Sequence, residues 1–352
     1  MIVDVLIVGQ GLAGSFLGWE LLQLGHKILV VDSGQQNASQ IAAGLINPIT
    51  GQRFVKSFQV DQLLPTAIAS FQKLEAFFGQ TFYRNKTMLR LFQSALEQTH
   101  CQTRKQDTQY ADYLGEISLT NFAIDPFKAP YGYAQQKHTG YLLTLPLLAC
   151  LKQFLIAHNS YRLAEFDYAK LQTKTGISWL DVTAQHIIFC EGYKVQQNPW
   201  FSWLPFQMAK GEILTLKNLS PLPDYLFNYG HWLIPLTEGT ARTGATFDNT
   251  DLNLNISHTA RDTLLQALNK AAPGLSHSVL AQDCGLRPCT LDKQPILGAH
   301  PQHANILIFN GFGTKGSLQI PWHSQRMIEH LCQQLPLPSS CDINRYASHF
   351  PA

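Results

Sequence analysis

The sequence predicts an α/β protein in which a Rossmann-like nucleotide-binding domain is interleaved with an α+β substrate domain built on a large mixed or antiparallel sheet. Three observations carry this reading. The chain opens on an apolar run, Ile2–Val8, followed by Gly9-Gln10-Gly11-Leu12-Ala13-Gly14. Apolar strand-like runs return in the middle, over 184–190, and near the end, over 306–309. Between them lie aromatic-rich alternating stretches, such as 212–216 and Trp232–Pro235, of the kind an antiparallel sheet needs.

Ile2–Val8 is β-rich and apolar, as a strand buried on both faces should be. Gly9 permits a tight turn, and Gly11 lets the backbone approach a pyrophosphate. Gly14 lets the helix that begins at about Leu12 and Ala13 pack on the strand. The pyrophosphate then sits at the positive end of that helix. Residues 27–31 read as a second parallel strand. Asp32 at its end, followed by Ser33, can accept hydrogen bonds from a ribose, and its charge disfavours a 2′-phosphate. The motif by itself suits FAD or NAD.

The next informative stretch is Ala42-Ala43-Gly44, whose small side chains leave room for a bulky planar group. Asn47-Pro48 and Thr50-Gly51 follow as turn dipeptides. Apolar residues at three-to-four spacing predict a helix over Val60–Phe78. A short strand is expected over 88–92 and a helix over 147–158. The strand over 184–190 ends at Glu191-Gly192. The strand over 306–309 runs into Asn310-Gly311-Phe312-Gly313-Thr314-Lys315-Gly316, then a helix to about Leu331. The expected division gives 1–81, 140–199 and 284–352 to the nucleotide domain, and 82–139 and 200–283 to the substrate domain. A simple NAD dehydrogenase keeps its βαβ units together, so the interleaving favours FAD.

Composition narrows the function classes. A chain of 352 residues suggests about two domains. Apolar residues are 45% and charged residues 14%, the balance of a globular enzyme and not of a disordered chain. Net charge is +2 with no basic run, so no nucleic-acid partner is expected. The seven cysteines are scattered, which fits reduced thiols in a cytoplasm and no metal site. Asp4 interrupts the first apolar run, which therefore reads as a core strand and not a signal peptide. No apolar run is long enough for a membrane span.

Six motifs stand in order along the chain: GQGLAG at 9–14, AAGLINP at 42–48, AKGEIL at 209–214, RTGATFD at 242–248, GLRPCTLDKQPILG at 285–298 and NGFGTKG at 310–316. Together they resemble the D-amino-acid oxidase superfamily of FAD-dependent oxidoreductases, most of all its glycine oxidase and sarcosine oxidase branch. They are also similar to the FAD domain of the bacterial bifunctional enzymes that make methylaminomethyl-thiouridine in tRNA. The resemblance covers nearly the whole chain. It implies a Rossmann-like FAD-binding domain and oxidation of the C–N bond of a small amine or amino acid. The product is an imine, formed by hydride transfer to flavin N5.

Cofactor contacts are expected at Gly9, Gly11, Leu12, Ala13, Gly14, Asp32, Ser33, Ala42, Ala43, Gly44, Asn47 and Gly192, and at Gly311, Gly313, Thr314 and Gly316. By the resemblance, Arg287 is the arginine that clamps a substrate carboxylate. Guanidinium suits this because it stays charged and binds carboxylate bidentately. The competing reading is a structural arginine paired with Asp292. Lys315 and the N–H groups of its loop offer positive charge where a reduced flavin becomes negative, near N1 and C2=O. Thr314 stands where glycine oxidase has a substrate-binding arginine, a departure from a glycine-like substrate. Arg242 stands where sarcosine oxidases carry a lysine that promotes reaction with oxygen, which leaves the electron acceptor open. Arg53 and Lys56 can extend a positive pocket, and Tyr229, His231 and Trp232 can line its substrate side. Cys284 lies one position from a covalent flavin attachment point, and a buried free thiol is expected there. Two alternatives accompany this reading. One is a flavoenzyme acting on a carboxymethylamino group of a tRNA wobble base, and the other is a non-catalytic flavin-binding protein.

Overall fold

In the computed structural model, residues 1–351 are described, apart from 175, 219–220 and 238. Ile2–Val8 pairs in parallel with Ile28–Asp32 on one side and Val182–Phe189 on the other. Val182–Phe189 pairs in parallel with His303–Asn310, and Tyr161–Leu163 flanks Ile28–Asp32. Antiparallel strands Ile177–Trp179, Leu171–Gln172 and Ile296–His300 complete an eight-stranded sheet. The carboxyl-terminal halves of its central strands, Val5–Val8, Ile187–Phe189 and Ile306–Phe309, are apolar and buried because both faces are covered there. Helices Leu12–Gln23, Thr144–Ala157 and Gly316–Gln333 pack over one face. Trp179, Phe201 and Tyr346 belong to the cluster on the other.

A second eight-stranded sheet runs in the order His277–Thr290, Phe206–Asn218, Thr240–Gly244, Trp232–Pro235, Leu226–Asn228, Met88–Leu91, Tyr133–Gln136, Leu114–Ser118. Every pairing is antiparallel except Leu226–Asn228 with Met88–Leu91, so the sheet is mixed. Alternation works here as expected. Leu214, Leu216, Phe227 and Leu233 point to one face and pack with Leu264 and Leu268 of helix His258–Ala271. The other face is free to line a cavity.

Helix Val60–Phe78 forms over the expected residues. The helix expected over 147–158 begins earlier, at Thr144, with Pro146 in its first turn, where the missing N–H costs nothing. The division expected at 283/284 falls inside the single strand His277–Thr290. That strand pairs with Phe206–Asn218 along its length while its residues Gly285–Pro288 reach the cavity, so no linker separates the two regions there.

Candidate active site

Three parallel neighbours, Ile2–Val8, Val182–Phe189 and His303–Asn310, end on the same side of the first sheet. Their following loops, 9–11, 190–192 and 311–316, converge there, as ligand-binding loops do at the carboxyl ends of a parallel sheet. Asn310 Nδ2 donates to Gly192 O at 2.8 Å and ties two of the loops together. A cavity of about 480 Å³ opens between these loops and the free face of the second sheet.

The N-terminal turn is built by its glycines. Gly9 has φ of 103°, and a Cβ there would lie 2.6 Å from Cys190 O. A Cβ on Gly14 would lie 1.9 Å from Gly9 O, so helix and turn meet in direct backbone contact. The N-cap residue of helix Leu12–Gln23, Gly11, has no side chain to cap it, and the first turn holds no acid, which leaves a positive end facing the cavity. Ser39 Oγ accepts from Leu12 N at 3.0 Å. Asp32 accepts from Gln10 N and Gly34 N, each at 2.7 Å, and still lines the cavity with Ser33. An anionic diphosphate followed by a ribose fits this end by its donors and by its lack of side-chain bulk.

The same end holds Glu165, Phe166, Tyr168, Glu191 and Lys194, none singled out by the sequence. Tyr168 Oη donates to Glu191 Oε1 at 2.6 Å, and Asn198 Nδ2 donates to Oε2 at 2.7 Å. Burial pushes the Glu191 carboxyl up to about 7. Lys194 is neutralised by Glu165 at 2.9 Å.

The opposite end is formed by Leu45, Asn47, Thr50, Gly51, Asn228, Trp232, Gly244–Phe247, Gly285–Pro288 and the 312–316 loop. Its charges are Arg287 and Lys315. Arg287 donates from Nη1 to the carbonyls of Lys210 at 3.3 Å and Thr246 at 3.2 Å. Asp292 is not its partner, because Asp292 pairs with Arg345 at 2.8 Å. Lys315 Nζ donates to Ser57 Oγ at 2.8 Å. Neither cation makes a salt bridge among the described residues. Burial holds the pKa of both below its ordinary value, since an uncompensated charge is poorly solvated here. The acids that line the cavity among the described residues are Asp32, Glu165 and Glu191, all at the other end.

Other expected site residues lie elsewhere. Gly14 and Gly311 shape their loops but do not line the cavity, whereas the remaining expected cofactor residues do. Arg53 is exposed outside it, because Phe54, at φ of 52°, turns inward and Arg53 outward. Lys56 pairs with Asp61 at 2.7 Å, away from the cavity. Tyr229 is buried in the second sheet's core, its hydroxyl 2.6 Å from Thr243 Oγ1. His231 also lies outside the lining, while Trp232 is within it. Arg242 spends its guanidinium on the carbonyls of Ile41, at 2.6 Å, and Ala42, at 3.2 Å. It braces the 42–44 loop from behind. Cys284 is a buried free thiol that donates to Leu254 O at 2.7 Å. Gly211, Thr246 and Phe247 were not anticipated as site residues. Their only sequence signal was membership of the AKGEIL and RTGATFD motifs.

The FAD dependent oxidoreductase family, DAO, matches residues 4–330. The chain belongs to this family. It is an FAD-dependent oxidoreductase, and the acid-free helix start, the glycine turn and the cavity are consistent with that cofactor. The chain is similar to the tRNA 5-methylaminomethyl-2-thiouridine biosynthesis bifunctional protein MnmC of Leptospira borgpetersenii. The two are 26% identical over 319 residues, which is 83% of this chain and 47% of that protein. The chain thus spans about half the length of the curated relatives it matches first. Glycine oxidase of Bacillus subtilis is 27% identical over 147 residues, 40% of this chain and 39% of that one. Among solved structures, glycine oxidase from Geobacillus kaustophilus shares the fold with a TM-score of 0.81, 19% identity and 98% of each chain covered. Iminodiacetate oxidase from Chelativorans sp. BNC1 does so at 0.77, with 19% identity, 96% of this chain and 98% of that one. No helix among the described residues is long and apolar enough to cross a membrane.

Proposed function

We propose that the protein oxidises the C–N bond of a small amine or amino acid whose carboxylate is bound by Arg287, with Lys315 adding positive charge. The observation that carries this is the pair of cations at one end of the cavity with no carboxylate beside them. Fold relatives named for glycine and iminodiacetate, both of them amino acids with a carboxylate, support the same substrate class.

In this reading the 9–14 turn, Asp32 and Ser33 hold the adenosine diphosphate portion of FAD. The Ala42–Asn47 and Gly313–Gly316 loops hold its ring. FAD supplies an acceptor for a hydride at flavin N5. Arg287 binds the carboxylate and fixes the substrate's orientation, which converts a loose encounter into an aligned one. Lys315 and the uncapped start of helix Gly316–Gln333 keep positive charge at the ring end. Trp232 and Phe312 supply apolar walls that exclude water. The described lining contains no histidine, and its acids are at the far end, so the amine must arrive neutral.

The test is anaerobic mixing of the yellow holoprotein with glycine, sarcosine, iminodiacetate and a set of D- and L-amino acids. Bleaching of the flavin by at least one supports the reading. An unbleached flavin across the panel overturns the substrate class.

A second reading has its own support. The bifunctional MnmC proteins of Leptospira borgpetersenii and Marinobacter nauticus match 83% and 94% of this chain with about half their own length. Under it, the oxidised group is a carboxymethylamino substituent on a tRNA base, presented to the same Arg287. Salt-sensitive binding of tRNA to the holoprotein, with bleaching by the modified tRNA alone, would favour it.

A further inference from the structure

Phe247 lines the same cavity as Arg287, yet the residue is 64% exposed. The ring centre lies 5.9 Å from the Arg287 guanidinium carbon. An exposed aromatic ring is ordinary where the backbone is loose, but here the backbone is fastened on both sides. Thr246 N donates to Glu212 O at 3.1 Å, and Asp248 and Lys210 exchange backbone hydrogen bonds at 3.0 and 2.7 Å. The loop beyond is held by two side chains buried in the second sheet. Lys210 Nζ donates to Asp251 at 3.2 Å and Asn253 at 3.0 Å, while the Glu212 carboxylate accepts from Ser257 N and Oγ at 2.9 and 2.8 Å. The next apolar residues along this loop, Leu252, Leu254 and Ile256, are 36%, 47% and 56% exposed and extend the apolar surface. Phe247 therefore stands at the solvent-exposed edge of the cavity beside Arg287, within reach of a nitrogen substituent that leaves the cavity on this side.

We propose that Phe247 is a specificity-determining residue that packs on the nitrogen substituent of the substrate, and that this substituent carries a planar ring. The inference rests on the carboxylate clamp at Arg287 and adds the other half of the substrate. The ring gains offset stacking and apolar burial against Phe247, and neither is available to a methyl group or a hydrogen.

The test uses two unreactive thioether acids, benzylthioacetate and methylthioacetate, in which sulfur replaces the amine nitrogen. Binding to the holoprotein is read from perturbation of the flavin absorption spectrum. The benzyl compound is expected to bind about tenfold tighter than the methyl compound, the order of an aromatic pair. Phe247→Ala should bring the ratio of the two affinities close to one, and Phe247→Tyr should keep it. Equal binding of the two acids, or a ratio that survives Phe247→Ala, overturns the inference and leaves the clamp standing. Failure of both acids to bind overturns the clamp and the inference with it.

Discussion

The guanidinium of Arg287 occupies the space that a side chain at Gly211 would need. A Cβ on Gly211 would lie 1.9 Å from Arg287 Nη2. The two residues are brought together by antiparallel register, since Ala209 faces Arg287 and Gly211 faces Gly285. Gly211→Ala is therefore expected to displace the clamp and not to break the fold, because the displaced atom ends a flexible side chain. One charged hydrogen bond contributes about 1.5–3 kcal/mol, so KM for a carboxylate substrate should rise about ten- to a hundredfold. Thermal melting should shift little. Steady-state kinetics and melting of the same preparation check both halves.

The contrast is Gly14. Its absent Cβ would meet a backbone oxygen, Gly9 O, at 1.9 Å, and neither partner can move freely. Gly14→Ala should separate the helix from the turn and cost about 3 kcal/mol. The purified variant is expected to carry little FAD, measured by the ratio of flavin released on denaturation to protein.

Lys315 sets an expectation for pH. Burial lowers its pKa, so its charge is lost at a lower pH than that of an exposed lysine. Reaction with an amino acid should first quicken as pH rises and the substrate amine loses its proton. It should then fall as Lys315 becomes neutral. Lys315→Met should weaken carboxylate binding below that limb and remove the alkaline fall, read from kcat/KM against pH.

His323 carries a stability prediction. It is 2% exposed, its Nδ1 lies 2.8 Å from Gln319 O, and Phe312 and Trp322 flank the ring. Burial lowers its pKa to about 4. The folded state then binds fewer protons than the unfolded state between about pH 6.5 and pH 4. Stability is present above that window and is lost as pH falls through it, by up to about 3 kcal/mol. Urea midpoints from pH 7 to pH 4 should drop more steeply for the native protein than for His323→Phe.

Local features were the legible ones. The 9–14 turn, helix Val60–Phe78 and the 310–316 loop depend on neighbours in sequence, and their residues lie where the pattern put them. Arg287 was legible through its motif. Its surroundings were not, because Gly211, Thr246 and Phe247 come from strands and loops far away in sequence. Arg53 and Tyr229 show the converse. Both stand near the right segments, but one turn residue, Phe54, sends Arg53 outward, and Tyr229 bonds to Thr243 in the core. Arg242 lies on a strand of the second sheet and is consumed by the loop carbonyls of Ile41 and Ala42. No one-dimensional pattern records that contact.

Under the proposed function, Arg287 selects a carboxylate on the substrate. The most direct measurement compares anaerobic flavin reduction by sarcosine and by sarcosinamide, which differ only in that charge, in the native protein and in Arg287→Ala. The native protein should prefer sarcosine strongly, by about ten- to a hundredfold, and the preference should collapse in the variant. Equal loss of both substrates, or no preference in the native protein, would contradict it.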